Sequence, residues 1–180
     1  SYYEAVNKTS DMNYLKLEEE EGFMFNFSKL EIEIEKKNID LLILITPNNP
    51  TGTEIEYENI FKLSTKFPEL KIIVDESFSH FSKNYESNII KRRNLLDNVS
   101  NVFCLKSLSK DFGVAGLRIG YVESKNDVLR SLRGQMGTWV LNNFAVRFLD
   151  YIASKNFLKE YAFARNAYLK DLEEFQKCLS

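Results

Sequence analysis

The segment from Ser107 to Tyr121 concentrates residue types that could do chemistry. It contains two hydroxyls, a lysine, three glycines and an arginine within fifteen residues. The hydroxyls of Ser107 and Ser109 and the guanidinium of Arg118 suit a phosphate group, because arginine is permanently charged and binds phosphate through paired hydrogen bonds. Lys110 would then lie beside a phosphate site, where its amine could reach a carbonyl of the same ligand. A flexible glycine-rich loop with solvated charges would not explain so many specific residue types.

A second polar segment is the turn Thr46–Gly52, which reads Thr-Pro-Asn-Asn-Pro-Thr-Gly and follows an apolar run. Its composition predicts a tight, rigid turn from which an asparagine side chain can face a ligand. The simpler alternative is a turn that only leads into the next helix.

The third segment, Asp75–Phe78, also follows an apolar run. A carboxylate at the end of a buried strand is costly unless a cation or hydrogen-bond donors meet it. We expect Asp75 to be the buried member and Glu76 the solvated one. A structural ion pair or a helix cap is the alternative to a ligand contact.

Apolar runs predict the strands that would position these segments. Leu41–Ile45 and Ile72–Val74 are apolar without alternation, as in strands buried on both faces of a parallel sheet. Val102–Leu105, with Cys104 as a small core residue, and Arg118–Val122 are two further candidates.

Helices are predicted between and after these strands. Thr53–Glu56 has the form of a capping box and is followed by apolar residues at helical spacing. Later segments also read as helices: Asn126–Arg133, Asn142–Ser154 and Phe157–Leu179. Alternating strands and helices predict an α/β fold, a mostly parallel sheet with flanking helices, in which ligands gather at the carboxyl ends of the strands.

Length and composition exclude several classes of protein. A chain of 180 residues predicts one globular unit, and a net charge of -2 offers no electrostatic footprint for nucleic acid. The longest apolar run, Leu41–Ile45, is far shorter than the roughly 20 residues of a membrane span, and residues 1–20 lack signal-peptide features. Two cysteines without paired spacing and one histidine predict neither a disulfide framework nor a metal site. We therefore expect a cytoplasmic protein.

Together, the three polar segments resemble the class I/II (fold-type I) aminotransferase family of pyridoxal-phosphate (PLP) enzymes. That family carries Asn-Pro-x-Gly, Asp-x-x-Tyr and Ser-x-Ser-Lys-x-x-Gly-x-x-Gly-x-Arg-x-Gly in this order. The matches here are Asn49–Gly52, Asp75 and Ser107–Gly120, and Tyr2–Val6 resembles the segment that precedes the asparagine turn. The motifs are most similar to those of histidinol-phosphate aminotransferases and threonine-phosphate decarboxylases.

The resemblance implies pyridoxal 5′-phosphate as cofactor and assigns a role to each motif. Lys110 would form the internal aldimine and, once displaced by substrate, move a proton between Cα and the cofactor. Asp75 would pair with the protonated ring nitrogen, and Asn49 would donate a hydrogen bond to the 3′-oxygen. Three residues would bind the 5′-phosphate: Ser107, Ser109 and Arg118.

The chain departs from the family pattern at Phe78, where a tyrosine is usual. Losing that hydroxyl removes one hydrogen bond to the cofactor's 3′-oxygen, so the aldimine pKa should be higher than in tyrosine-containing relatives. Trp139–Asn142 resembles a segment near the substrate, which makes Asn142 a weak substrate-binding candidate; a helix start with an aromatic staple is the alternative. His80 is expected at the surface or just behind the site, without a catalytic role.

The resemblance also implies a domain organisation. Residues 1–155 would form a partial PLP-binding large domain that is incomplete at both ends, and residues 156–180 a long helix leading toward a small C-terminal domain. An upstream phosphate loop and a downstream substrate-binding arginine would lie outside the chain. The fragment alone should therefore be unable to complete a transamination.

Three functions are compatible with these features. The leading hypothesis is an amino-acid aminotransferase that uses a 2-oxo acid as acceptor, and Phe78 favours a phosphoamino-acid decarboxylase as the second. The third is a non-catalytic module that keeps the fold, although such a module has no physical reason to retain Asn49, Asp75, Lys110 and Arg118 together. By analogy with the family a homodimer is expected, with no nucleic-acid or membrane partner.

Overall fold

The computed structural model describes residues 11–125, 127–137 and 140–179. The segment Tyr2–Val6, the predicted helix start Asn126 and Trp139 therefore lie outside the described residues. The chain divides into two compact units, Ser1–Asn38 and Ile39–Ser180, rather than the single unit that chain length predicted. The predicted change of domain at residue 156 stays a prediction.

In residues 11–38, the described part of the first unit, a short 3-10 turn, Glu19–Glu21, precedes one helix, α1 (Phe27–Lys37). The side chain of Asn26 caps the helix by accepting a hydrogen bond from the backbone N–H of Lys29 at 3.1 Å, which satisfies one of the amides that a helix start leaves without a partner. Asn38 ends the helix in the left-handed conformation, as asparagine tolerates.

The second unit is built on a sheet of four strands: β1 (Leu41–Ile45), β2 (Lys71–Asp75), β3 (Val102–Ser107) and β4 (Gly120–Glu123). Their spatial order follows their order in the chain; the first three are parallel, and β4 runs antiparallel to β3. The predicted mostly parallel α/β architecture is confirmed. The fourth strand begins two residues later than expected, because Arg118 has a left-handed backbone with φ 53° that cannot continue a strand.

The helices of this unit are α2 (Tyr57–Lys66), α3 (Tyr85–Asn98), α4 (Leu108–Asp111), α5 (Val128–Gln135), α6 (Asn143–Ile152) and α7 (Lys155–Leu179). The helix predictions for α2, α5, α6 and α7 are confirmed, whereas α1, α3 and α4 were not predicted. The capping box was wrong: α2 begins at Tyr57, and the side chain of Glu56 makes no cap. The hydroxyl of Thr53 lies instead 2.8 Å from that of Thr51, within the preceding turn.

The main core lies between one face of the sheet and the α2–α3 pair. Its most deeply buried side chains belong to the strands and to α2: Leu44, Ile60, Leu63, Ile72, Val74, Val102 and Cys104. Asn101, just before β3, fastens the end of α2 to the sheet, since its amide nitrogen lies within 3.1 Å of the carbonyl oxygens of Ser64, Phe67 and Leu70. The predicted burial of Cys104 is confirmed.

No helix in the described part of the chain combines the length and the apolar character that crossing a membrane requires.

Candidate active site

Two of the predicted polar segments meet where the parallel strands end. The backbone N–H of Thr46, which opens the asparagine turn, donates to the carbonyl oxygen of Asp75 at 2.9 Å. The next residue, Glu76, donates its backbone N–H to the carbonyl of Leu105 in β3 at 2.8 Å. The carboxyl ends of three adjacent strands thus bring the asparagine turn and the acidic strand end to one edge, beside the start of the glycine-rich segment.

The expected burial of the two acidic residues was wrong. Glu76 is 2% exposed, whereas Asp75 is half-buried. Side chains alternate between the two faces of a strand, so Glu76 shares the covered face with Ile72 and Val74 while Asp75 points to the opposite one. The Asp75 carboxylate accepts a hydrogen bond from the backbone N–H of Ser77 at 2.8 Å.

Glu76 belongs to a buried polar cluster on the covered face. It accepts hydrogen bonds from the Tyr57 hydroxyl and from Nη1 of Arg92, the latter at 2.8 Å. Burial, and then the neighbouring Glu76 charge, raise the pKa of Tyr57. The alternative of a structural ion pair at this strand end therefore holds for Glu76, while Asp75 faces the side where a ligand could bind.

Lys110 lies in α4, which follows β3 without a loop. Ser107 caps this short helix by accepting a hydrogen bond from the backbone N–H of Ser109 at 3.3 Å. The Lys110 side chain is exposed, and its Nζ lies 5.6 Å from the centre of the Phe78 ring. The structure therefore brings the predicted aldimine lysine to the loop that directly follows Asp75.

The glycine-rich segment returns to β3, and the residue after Arg118 meets the start of α4. The backbone N–H of Leu108 donates to the carbonyl of Ile119 at 3.1 Å, while the Arg118 side chain is exposed and donates to the Ala115 carbonyl at 3.3 Å. A Cβ atom at Gly120 would lie 2.6 Å from the Lys106 carbonyl oxygen. Glycine at this position is thus required by the close approach of β4 to β3.

Ser109, one of the predicted phosphate ligands, is buried and only 7% exposed. It is the least accessible of the predicted cofactor-binding residues, and its role in phosphate binding stays a prediction.

Asn49 lies exposed in the turn after β1. The turn is closed by hydrogen bonds from the Asn48 N–H to the Thr53 carbonyl and from the Gly52 N–H to the Asn48 carbonyl, both at 2.8 Å. Gly52 adopts φ 72°, which glycine accepts without strain. The side chain of Asn48 binds Thr51 at 2.8 Å within the turn, so Asn49 is the asparagine that the turn presents outward.

Asn142 caps α6. Its side-chain oxygen accepts from the Ala145 N–H at 2.8 Å, and its side-chain nitrogen donates to the Leu117 carbonyl at 3.0 Å. This geometry supports the helix-start alternative, and substrate binding by Asn142 stays a prediction.

Sequence reasoning missed a second buried ion pair close to Lys110. Lys106 Nζ lies 2.8 Å from Asp111 Oδ2, and the two side chains are 3% and 0% exposed. The signal was present in the strand pattern, because Lys106 follows Val102 and Cys104 at every second position and so must share their covered face.

His80 was expected at the surface or just behind the site; its side chain is 12% exposed and lies behind it. Its ring packs against those of Tyr85 and Phe112, and its Nδ1 lies 2.5 Å from the Tyr161 hydroxyl. Burial, followed by the charges of Lys106 and Arg165, lowers the pKa of His80 to about 3. The imidazole is therefore neutral at physiological pH, and its Nδ1 shares a hydrogen bond with the Tyr161 hydroxyl.

The groups at this edge of the sheet fit the cofactor that the motifs imply. Its ring nitrogen needs a carboxylate, its aldehyde an amine, and its phosphate a guanidinium with hydroxyls. Asp75, Lys110, Arg118 and Ser107 supply this set from consecutive strand ends, and the first three are not sequestered in the covered core. The donor set thus matches pyridoxal phosphate in chemical type.

Comparison with known proteins agrees with this assignment. The sequence model of the family "Aminotransferase class I and II" matches residues 4–180. An L-serine phosphate decarboxylase of Campylobacter jejuni is 35% identical over 182 aligned residues, which are 100% of this chain and 47% of that protein. A histidinol-phosphate aminotransferase of Caldanaerobacter subterraneus is 29% identical over 88% of this chain and 43% of its own length.

The fold is similar to solved structures as well. A decarboxylase from Sulfurospirillum multivorans superimposes with a TM-score of 0.85 at 34% identity, over 99% of this chain and 51% of that one. The chain spans about half the length of the curated relatives it matches.

Proposed function

The chain belongs to the class I and II aminotransferase family of PLP enzymes, and we propose that it supplies the lysine-bearing part of a decarboxylase acting on a phosphorylated amino acid such as O-phospho-L-serine. The observation that carries this proposal is the 35% identity to an L-serine phosphate decarboxylase across the whole chain. Among the hypotheses drawn from the sequence, the similarities favour the decarboxylase over the leading aminotransferase.

Decarboxylation of an α-amino acid removes the carboxylate as CO2 and leaves an electron pair at Cα, which must take up one proton. Pyridoxal phosphate, when bound, supplies the electron sink for that pair. Asp75 would hold a proton at the ring nitrogen, since a carboxylate beside that nitrogen favours its charged form. The half-buried position of Asp75 reduces the solvent that would otherwise weaken this pairing.

Lys110 would deliver the proton to Cα. Its ammonium lies over the Phe78 ring at 5.6 Å, and a ring face attracts a positive charge through its quadrupole. Phe78 thus offers a resting place for the charged amine, which is the form that donates a proton. In a decarboxylase a net proton must be given to Cα, whereas a transaminase first takes one away.

Arg118, Ser107 and Ser109 would hold the cofactor phosphate. Arg118 is the permanently charged member, and its backbone is fixed next to α4 by the hydrogen bond between Leu108 and Ile119. Because that bond joins the arginine segment to the lysine segment, phosphate binding and amine position would be set by the same piece of backbone.

Transamination remains the second candidate. The family name and the 29% identity to a histidinol-phosphate aminotransferase favour it. In that reaction Lys110 would move the proton from Cα to the cofactor carbon instead of supplying a new one.

The experiment uses the complete natural protein, loaded with pyridoxal phosphate and given O-phospho-L-serine labelled at the carboxyl carbon. We expect release of labelled CO2 and formation of ethanolamine phosphate without any 2-oxo acid. Lys110→Ala is the matched negative control. Consumption of the amino acid only when a 2-oxo acid is added would favour the aminotransferase, and no turnover of phosphorylated amino acids by either route would overturn both.

A further inference from the structure

Lys106 and Asp111 form a buried ion pair that brackets Lys110 in the sequence. Lys106 lies in β3 and Asp111 is the last residue of α4; their charged atoms are 2.8 Å apart, and the side chains are 3% and 0% exposed. Lys110, between them, is exposed. The Lys106–Asp111 pair therefore joins the two ends of a short turn, and Lys110 lies on the exposed side of that turn.

The same ammonium also binds the loop after β2. Lys106 Nζ donates to the backbone carbonyl of Glu76 and to the hydroxyl of Ser79, both at 2.8 Å. The ammonium thus contacts three acceptors, two through hydrogen bonds and the Asp111 carboxylate through an ion pair. Residues 76–79 form the loop that follows Asp75 and contains Phe78, the residue against which Lys110 lies. The buried Lys106 side chain therefore links the turn that carries Lys110 to this loop.

Aromatic rings pack against the end of the turn next to Asp111. Phe112, next to Asp111, packs against Phe148, Phe157 and Tyr161 with ring centres 5.7, 5.6 and 4.9 Å away. This packing limits how far the turn can move from the sheet. The ion pair and the aromatic contacts thus hold α4 from opposite ends.

Stability alone does not account for two charges in this place. Burial lowers the pKa of Lys106, against the opposing charge of Asp111. Burial likewise raises the pKa of Asp111 to about 6, although Lys106 opposes this. Burial thus opposes the charged form of both groups, and apolar side chains of similar volume often replace a buried ion pair without loss of stability. What the pair offers instead is a fixed separation between two backbone segments.

We propose that Lys106 and Asp111 are positioning residues that hold the Lys110 amine at a fixed place over Phe78. The proposal rests on the proposed function, in which Lys110 reacts with the cofactor and then acts at Cα. A displaced amine would still be present but would reach the reacting atoms less often, and misplacement by about 1 Å can cost on the order of a hundredfold in rate.

The test compares three variants of the complete natural protein: the apolar double variant Lys106→Met with Asp111→Leu, the milder Ser79→Ala, and Ile60→Ala. Ile60 is 0% exposed in α2, so its truncation destabilises the core without touching the Lys110 turn. Three quantities are measured: the free energy of unfolding, amide hydrogen exchange across residues 108–113 relative to β1, and the rate at which the visible band of lysine-bound cofactor forms.

In the double variant we expect exchange in residues 108–113 to accelerate relative to β1, and the band to form at least about tenfold more slowly. Ile60→Ala should lower stability and leave both other readouts unchanged. A folded double variant with normal exchange and a normal band would overturn the proposal. If the double variant does not fold, Ser79→Ala decides, with an expected slowing of about twofold to threefold; unchanged exchange and rate in that variant would overturn the proposal equally.

The hydrogen-exchange readout needs no cofactor, so it separates the two proposals. Absence of the visible band of lysine-bound cofactor in the unaltered protein would contradict the proposed function. Unchanged amide hydrogen exchange in the variants would contradict the positioning role of Lys106 and Asp111, whether or not the cofactor binds.

Discussion

Two regions of the second unit, the covered core and the open edge where the parallel strands end, carry similar charged residues in opposite environments. Asp75 and Glu76 are neighbours, yet Asp75 is half-buried at the ligand edge and Glu76 is 2% exposed in the core. Lys106 and Lys110 repeat the contrast, since the first is 3% exposed and the second is exposed. The sign of the charge is the same within each pair, so burial rather than charge distinguishes the two members.

The physical reason is that burial and reactivity make opposite demands on a charge. A buried charge needs fixed partners, because leaving it without them costs far more than the pairing returns. A group that must exchange protons with a ligand has to stay accessible. The chain therefore separates its structural charges, on the covered face, from its proposed reactive charges at the open edge.

The largest expected effect comes from removing the reactive lysine. Lys110→Ala should lower decarboxylation by about a thousandfold or more, since both the amine that binds the cofactor and the proton donor are lost. Because the side chain is exposed, the free energy of unfolding should barely change. Steady-state CO2 release and the visible cofactor band measure the first effect, and chemical denaturation measures the second. A variant that retained the band would mean that another residue holds the cofactor.

On the covered face, Glu76→Gln should act on stability rather than on chemistry. It leaves Arg92 without its buried carboxylate, and breaking such a pair costs about 3 kcal/mol. Arg92 also lies 3.2 Å from the carboxylate of Glu123, which is 49% exposed and should recover only part of this. Urea denaturation measures the loss. A large fall in cofactor binding without a fall in stability would contradict the division between the two regions.

Asp75→Asn is the matched change at the open edge. It keeps the shape but removes the charge that would hold a proton at the ring nitrogen, so we expect turnover to fall by about a hundredfold. The free energy of unfolding should change by less than in Glu76→Gln, because Asp75 is more exposed. Turnover and urea denaturation on both variants test the contrast directly, and equal stability losses would break it.

His80 should make stability depend on pH. Its folded pKa of about 3 lies below the ordinary value of 6.5, so between these values the unfolded chain binds a proton that the folded chain does not. Stability must then fall as the pH drops from 6.5 toward 3. Asp111, whose pKa is raised to about 6 from 3.8, acts in the opposite sense between pH 4 and 6 and offsets part of the loss.

In His80→Gln we therefore expect a smaller fall in Tm between pH 7 and pH 5 than in the unaltered protein. Thermal unfolding at the two pH values measures it. An equal fall in both proteins would show that the imidazole is not held neutral.

The smallest effect is expected at Phe78. Phe78→Tyr restores the hydroxyl that family members usually carry, and its hydrogen bond to the cofactor should lower the titration midpoint of the visible band by about one pH unit. Spectrophotometric titration measures the shift. Phe81→Tyr is the control, because Phe81 lies near Phe78 with ring centres 6.3 Å apart; a similar shift in both variants would argue against a direct contact with the cofactor.

The sequence alone determined the strands, the order of the motifs and the family. Uninterrupted apolar runs identify buried strands because few other structures accept them, so the cores of β1, β2 and β3 were found where the structure has them. The helix α3 was not predicted because its two buried residues, Leu95 and Leu96, are adjacent and give no helical spacing.

Only the tertiary structure decided which partners the buried charges meet. Asp75 and Glu76 are equally acidic in the sequence, and their environments depend on which face of β2 the helices α2 and α3 cover. The contacts of Lys106 with Asp111 and Ser79 join three separate elements. The lowered pKa of His80 arises from burial and from charges as distant in the chain as Arg165. Burial is a property of the assembled layers, so local patterns specify the elements and only their packing specifies the site.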